Sequence, residues 1–491
     1  MAPRQGLRGW LSRRTFDWIA QREGLPGLRA RMAVLECFQR APRERIEAHQ
    51  RQQLARLLRH AAGTVPYYRE LFAERGLDPE RLAGADELKR LPRLAKEAIR
   101  DDFQPYVSTA FAAGDLHTST TGGTTGARMR FARDHASRLP KEAALLMFES
   151  WAGWSIGEAL GIVWPARIDY LVDPSWRAQL KNRLYRRELM LAAHELDDEI
   201  LAGLVGQIER ERPVALRGFA SPLYDLADYL RRQARQLPPL RGVVSTGEPL
   251  YPQQRERMEA AFGCPVYDAY RSRELGPVAQ ECDCKEGLHI NEHGLIVESI
   301  PADDGSGEAE LVCTDLYNYG MPLIRYRTGD YGTVRREPCA CGRTTARIVN
   351  LGGRLADVFV RRDGRTIGPG SIVLYLSVSV PGPLGQIQLV QEDYARFTLR
   401  VTADPEPSTE VRAYQLARLR ELFGDDITVD YRVVASIPRE ASGKVIFAKS
   451  LVGRRIASDA AIGQGAADRS GRVRPAGSGP PADPCGGEGS G

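Results

Sequence analysis

Thr118-Ser-Thr-Thr-Gly-Gly-Thr-Thr-Gly126, followed by Ala127-Arg128, is the most informative stretch of this chain. Glycines let the backbone turn its amides toward one point, and small hydroxyls add donors without bulk. A loop built that way holds phosphate oxygens. The stretch matches neither Gly-x4-Gly-Lys-Ser/Thr nor Gly-x-Gly-x-x-Gly. A flexible linker has a similar composition, but a linker does not normally sit between two ordered halves of one domain. The stretch reads as a phosphate loop.

Around that loop, from about residue 100 to 335, short apolar runs alternate with helical segments. Leu160-Gly-Ile-Val-Trp164 and Leu240-Arg-Gly-Val-Val-Ser-Thr246 read as buried strands, and Val214-Ala-Leu216 as a shorter apolar run. Leu196 to Arg212 and Pro252 to Phe262 read as helices. Such alternation predicts a large, multi-layer α/β domain. The pattern changes near Gly352-Gly-Arg354. Beyond it, Ile387–Val390, Phe397–Val401 and Ile427–Tyr431 read as strands and Glu410–Phe423 as a helix, a small α+β unit. Residues 1–60 read as helical and Arg-rich, and from 459 onward Gly, Pro, Ser, Ala and Asp leave no periodicity, so the tail is expected to be disordered. The expected division is therefore 1–60, 61–352, 353–458 and 459–491. No internal repeat is visible. One decoy is rejected: Gly153-Trp-Ser-Ile-Gly157 matches a hydrolase nucleophile elbow, but a helix precedes it and a strand follows, the reverse of the required order.

With 491 residues the chain exceeds what one core usually supports, and two or three domains are expected. Apolar residues at 43% and charged residues at 27% describe an ordinary globular mixture. The 68 Lys and Arg nearly balance the 63 Asp and Glu, so no nucleic-acid partner is called for. No apolar run is long enough to span a bilayer, and Met1-Ala-Pro-Arg-Gln-Gly-Leu-Arg-Gly-Trp10 lacks the features of a secretory signal. A cytoplasmic enzyme is the expectation. Leu7, Trp10, Leu11, Phe16, Trp18 and Ile19 interrupt the basic residues at roughly helical spacing. Such a stretch can lie on an anionic membrane surface; more often it is an outer helix docked on its own domain.

Of the eight cysteines, Cys282, Cys284, Cys339 and Cys341 form two Cys-x-Cys pairs, with His289 between them. In a large chain without a signal this grouping points to metal before disulfides. Four soft or borderline ligands in a tetrahedron mean structural zinc.

Downstream of the loop come Thr246-Gly-Glu-Pro249, then Val266-Tyr-Asp-Ala-Tyr-Arg-Ser-Arg-Glu-Leu-Gly276, then Met321-Pro-Leu-Ile-Arg-Tyr-Arg-Thr-Gly-Asp330, and finally Ile437-Pro-Arg-Glu-Ala-Ser-Gly-Lys444. The set resembles the adenylate-forming (acyl-CoA synthetase) superfamily, and within it the phenylacetate–CoA ligase branch with its CapK-like relatives. Val65-Pro-Tyr-Tyr68, Leu91-Pro92, Lys96, Gly287-Leu-His-Ile290 and Cys339-Ala-Cys-Gly-Arg343 fit that branch further, over about residues 50–450. The order and spacing of the motifs carry the resemblance, more than any one of them.

The resemblance implies a large α/β domain with a small mobile C-terminal α+β domain. It implies an AMP-forming ligase that activates an organic acid, small or aromatic, with ATP and passes it to coenzyme A. Thr120, Thr121, Gly122, Gly123, Thr124, Thr125 and Gly126 would wrap the β/γ-phosphates. Gly247, Glu248 and Pro249, with Asp268, Ala269 and Tyr270, would line the adenine, Tyr270 stacking on it. Glu274 would hold Mg²⁺, Asp330 would accept from both ribose hydroxyls, and Arg354 would reach the ribose or phosphate near the hinge. Lys444 would stabilise charge on the carboxylate and α-phosphate. Zinc would take Cys282, His289, Cys339 and Cys341, with Cys284 spare.

Three departures stand out: Ala127-Arg128 replaces the usual loop lysine, Arg271 replaces a glycine, and Ala356 stands where the hinge aspartate is often seen. Two alternatives stay open, the second of them suggested by the missing loop lysine and Ala356. One is adenylation with another acceptor, such as a carrier-protein thiol, an amine or a glycan. The other is a non-catalytic nucleotide-binding protein of surface-polysaccharide assembly. Which acid is bound is not legible, although Trp164 to Tyr170, Arg217 to Ser221 and Ser245 are the expected lining. A homodimer is compatible with the sequence.

Overall fold

The computed structural model describes residues 7–82, 84–120, 129–164, 175–193, 198–301, 309–352, 359–362, 366–367, 372, 376, 386–402, 406–438 and 446–452. Its centre is a nine-stranded sheet. Five parallel strands lie side by side in the order Val266–Ser272, Gly242–Thr246, Ala215–Phe219, Leu160–Trp164, Glu188–Ala192. Four antiparallel strands extend the sheet beyond Val266–Ser272: Gly276–Glu281, Leu288–Ile290, Arg347–Val349 and Thr333–Arg335.

Both faces of the parallel half are covered, as parallel sheets require. On one face Leu216, Val243 and Val266 pack under Leu204, Val205 and Ile208 of the Asp198–Glu211 helix and Leu223 and Leu226 of the Ala220–Arg232 helix. On the other face Leu160, Ile162 and Ala215 meet Leu146, Met147 and Phe148 of the Arg138–Trp151 helix. Phe16, Ile19 and Ala20 of the Leu7–Arg22 helix join that second core. The N-terminal helix is thus docked on its own domain, the commoner of the two expected readings.

The predicted elements fall closely on the observed ones. Leu160–Trp164 is a strand and Pro252–Phe262 a helix over those same residues, and the helix read from Leu196 is described as Asp198–Glu211. The Arg138–Trp151 helix does precede Gly153 to Gly157, with the Leu160–Trp164 strand after it, so the elbow is excluded by order.

The predicted alternation of strands and helices ends earlier than expected. Between residues 263 and 352 the described residues form no α-helix. The chain instead folds back in antiparallel strands, including the separate sheet of Leu295–Pro301, Ala309–Asp315 and Tyr326–Tyr331. Buried polar residues such as Gln280, His289, Glu310 and Thr314 interrupt the apolar pattern there and hide its period of two.

The C-terminal part is α+β, as expected. Strands Ile387–Gln391, Arg396–Val401, Thr428–Val433 and Ala448–Ser450 form a four-stranded sheet covered by the Thr409–Phe423 helix. Leu389, Leu399, Leu419 and Phe423 share a core separate from those of the large sheet. The expected boundary at residue 353 and the expected tail lie outside the described residues.

Candidate active site

The Thr-Gly loop springs from a hairpin. Leu116–Thr120 pairs antiparallel with Arg130–Asp134, and the Thr120–Arg130 pair closes its open end. Of the expected phosphate binders only Thr120 is described; Thr121 to Gly126 lie outside the described residues, as do Arg354 and Lys444. Arg273 donates from Nη1 to the Thr120 carbonyl at 3.2 Å, which brings the base of the loop to the end of the Val266–Ser272 strand.

Carboxyl ends of parallel strands are where open α/β sheets bind ligands. Here Thr246 donates through Oγ1 to the Ala269 carbonyl at 2.7 Å, tying two such ends together. Gly247 then turns with φ +79°, and a Cβ there would stand 2.9 Å from the Phe219 ring, so only glycine fits. The Glu248 carboxylate accepts from the Ser221 backbone N–H at 2.7 Å and from Ser221 Oγ at 3.0 Å. That side chain anchors the start of the Ala220–Arg232 helix, where the helix dipole favours negative charge. What the Gly247–Pro249 turn offers a base is therefore chiefly backbone.

Tyr270 and Asp330, sixty residues apart and on different sheets, meet through a 2.6 Å bond from the tyrosine hydroxyl to Asp330 Oδ2. Burial and the Asp330 charge push the Tyr270 phenol well above its ordinary value, so it stays a donor. Asp268 is half-buried; its carboxyl is pushed up to about 7 by burial and by the neighbouring Glu281.

Glu274 is buried at 9% exposure, and Tyr326 donates to its Oε1 at 3.0 Å. Lys141 sets the same corner: its ammonium pairs with Asp315 and donates to the Glu274 carbonyl at 3.3 Å. Arg133 lies in the field of Asp315 and Glu274, with burial pulling its pKa down. Sequence reasoning missed Lys141, Asp315 and Tyr326 as partners of this site. Tyr326 lay inside a quoted motif, yet nothing in one sequence says that its hydroxyl faces a carboxylate 52 residues earlier in the chain.

The expected acid-pocket residues are described in part. Arg217 is buried and ion-paired with Glu149 of the Arg138–Trp151 helix, and Trp164 packs edge-on against Phe219 at 4.5 Å between ring centroids. Ser245 is fully buried. Residues 165–170 lie outside the described residues. Phe447, three residues beyond Lys444, packs its ring 5.4 Å from that of Tyr251, just past the Gly247–Pro249 turn.

The sulfur and imidazole ligands do converge. The ligand atoms of Cys282, His289, Cys339 and Cys341 all lie within 4.8 Å of one another. Cys282 and Cys339 sulfurs are 3.7 Å apart, and Cys341 Sγ is 3.4 Å from His289 Nε2. A regular tetrahedron of zinc–sulfur bonds has edges of about 3.8 Å, so the set fits such an ion. Thr345 donates to Gln39 Oε1 at 2.7 Å, leaving its oxygen to accept from His289 Nδ1 at 3.2 Å. That chain keeps Nε2 unprotonated and turned to the sulfurs. Cys284 stays outside the group.

Comparison with known proteins follows the same lines. Residues 360–450 match the CapK C-terminal domain. The chain is 27% identical over 384 residues to a phenylacetate–coenzyme A ligase of Thermus thermophilus, covering 71% of this chain and 79% of that one. It is 24% identical over 393 residues to the protein CapK of Staphylococcus aureus, covering 78% and 84%. Among solved structures, 2-hydroxyisobutyryl-CoA ligase in its postadenylation state shares the fold with a TM-score of 0.67 at 20% identity, over 86% of this chain and 94% of that one. Motif order, fold and relatives agree: the chain is similar to the phenylacetate–CoA ligase and CapK-like branch of the adenylate-forming (acyl-CoA synthetase) superfamily.

Proposed function

We propose that this chain is an AMP-forming ligase that joins a carboxylic acid, small or aromatic, to coenzyme A through an acyl-adenylate. The observation that carries the reading is a chain of contacts around one segment: Tyr270 bonds Asp330 of another sheet, Glu274 is bonded by Tyr326, and Arg273 between them reaches the Thr120 carbonyl at the base of the Thr-Gly loop. The relatives named as phenylacetate–coenzyme A ligases support it.

A carboxylate oxygen of the acid attacks the α-phosphorus of ATP, and pyrophosphate leaves. The thiolate sulfur of coenzyme A then attacks the acyl carbon, and AMP departs with the bonding electrons. Tyr270 stacks on adenine, Asp330 accepts from the ribose hydroxyls, and Thr120 to Gly126 hold the β/γ-phosphates. Arg354 reaches the ribose or phosphate, and Lys444 stabilises charge as the first bond forms. Glu274, with one carboxylate oxygen bonded by Tyr326, suits a Mg²⁺ that shields the phosphates. A structural zinc fits Cys282, His289, Cys339 and Cys341 and would brace the loops after Glu274 and before Arg354. We take 353–458 as the small domain carrying Lys444 and place the chain in the cytoplasm, where ATP and coenzyme A are supplied.

ATP–pyrophosphate exchange across a panel of carboxylic acids tests the first half-reaction, and mass analysis of the product with coenzyme A tests the second. Exchange without a coenzyme A thioester would favour another acceptor, a reading that the match to CapK keeps in view. No exchange with any acid would reject adenylation.

A further inference from the structure

The Leu7–Arg22 helix buries one face and leaves the other exposed. Phe16, Ile19 and Ala20 point into the core, whereas Trp10 is 48% and Trp18 55% exposed. Beside it, antiparallel, runs the Trp176–Leu184 helix. Ser12 donates to the Tyr185 carbonyl at 2.8 Å, and Lys181 pairs with Glu23 at 3.2 Å. Its outer face exposes Trp176 at 69% and Leu180 at 46%. Six large apolar side chains are exposed among the described residues, and these two helices carry four of them.

Single exposed apolar residues need no explanation, but a cluster does. Each of the three tryptophans also carries an arginine on its ring: Arg14 over Trp10 at 4.5 Å, Arg22 over Trp18 at 3.8 Å and Arg177 over Trp176 at 5.6 Å. The two helices contain seven Lys and Arg and one aspartate, Asp17, which is itself paired with Arg29. The whole chain has a net charge of only +5, so its positive excess is concentrated here.

We infer that this paired-helix face is a docking surface for an anionic membrane, on which the protein lies without crossing. No helix among the described residues is long and apolar enough to span a bilayer. Tryptophan rings settle at headgroup depth, and arginines beside them meet lipid phosphates. A second copy of the chain is a poorer occupant, because it would oppose one cationic face with another. The inference is independent of the ligase reading, since neither helix supplies a residue to the active site.

Co-sedimentation of the full chain with vesicles tests it. Phosphatidylcholine vesicles containing phosphatidylglycerol should retain the protein at low salt and release it at high salt, and phosphatidylcholine alone should retain little. Trp10→Ala, Trp18→Ala and Trp176→Ala together should abolish retention while melting temperature and pyrophosphate exchange stay at wild-type values. Each of Arg14→Gln, Arg22→Gln and Arg177→Gln should lower partitioning roughly five-fold. Absence of retention by anionic vesicles would overturn the inference, as would equal retention of wild type and triple-tryptophan variant. A concentration-dependent dimer that the tryptophan substitutions dissolve would also overturn it, by assigning the face to a second copy.

Discussion

Asp330 works as an acceptor whose position is set by Tyr270, since the phenol occupies Oδ2 at 2.6 Å. Asp330→Ala should therefore weaken ATP binding by roughly 1.5–3 kcal/mol, the range for charge-assisted hydrogen bonds. Calorimetric ATP affinity equal to wild type would reject the ribose assignment. Asp268 gives a prediction of a different kind. Its carboxyl is pushed up to about 7 by burial and Glu281, from an ordinary value near 3.8. Between those two values the folded state holds the proton and the unfolded state does not. Stability from this group is therefore present at low pH and is lost as pH rises toward 7. Asp268→Asn, which cannot ionise, should flatten the fall in melting temperature over that interval, and thermal melts across the pH range read it directly.

At the scale of elements, the metal group joins segments distant in sequence: the turn after Gly276–Glu281, the Leu288–Ile290 strand and the Cys339–Cys341 turn. None of these is held by a long hydrogen-bonded ladder of its own, and the Leu288–Ile290 strand has only three residues. A zinc ion bound there should come at one per chain and be lost, together with stability, on chelation. Elemental analysis of protein purified without chelator checks the first point and melting with and without chelator the second. Thr345→Ala removes the acceptor that fixes the His289 tautomer, and should weaken zinc affinity about ten-fold or more without touching a ligand. Zinc retained at wild-type affinity would make the Thr345 bond incidental.

At the scale of the whole molecule, our proposal draws reacting groups from both parts of the chain. Phe447 packs against Tyr251, so the chain just before the Ala448–Ser450 strand adjoins the residues that follow the Gly247–Pro249 turn. In our proposal Lys444 acts in adenylation, where negative charge gathers in the transition state. Lys444→Ala should slow adenylation about 10²–10³-fold, the usual loss for one preorganised donor, with little change in ATP affinity. Thiolation from supplied acyl-adenylate should be largely spared. Single-turnover rates for the two half-reactions decide the matter: equal losses would reject a role of Lys444 confined to adenylation. No loss in either would leave Lys444 a surface residue.

The sequence alone determined what depends on local patterning. Apolar runs and breakers placed the Leu160–Trp164 strand and the Pro252–Phe262 helix, and the order and spacing of the motifs carried the family resemblance. Cysteine and histidine spacing, read with that resemblance, chose four ligands and left Cys284 aside, as the folded group does. The antiparallel half of the sheet was not legible, because buried polar side chains such as Gln280 and His289 break the alternation by which strands are recognised. Long-range polar partners were equally hidden. The bonds of Tyr270 to Asp330, Tyr326 to Glu274 and Thr345 to Gln39 depend on which strand ends and helices face each other. The charge on the paired tryptophan helices has the same origin. The sequence shows each basic, aromatic segment separately, and only packing decides that Phe16 turns inward, that Trp10 and Trp18 turn outward, and that the Trp176–Leu184 helix lies beside theirs. Local pattern is written in neighbouring residues, whereas a shared face is made by contacts between residues far apart in the chain.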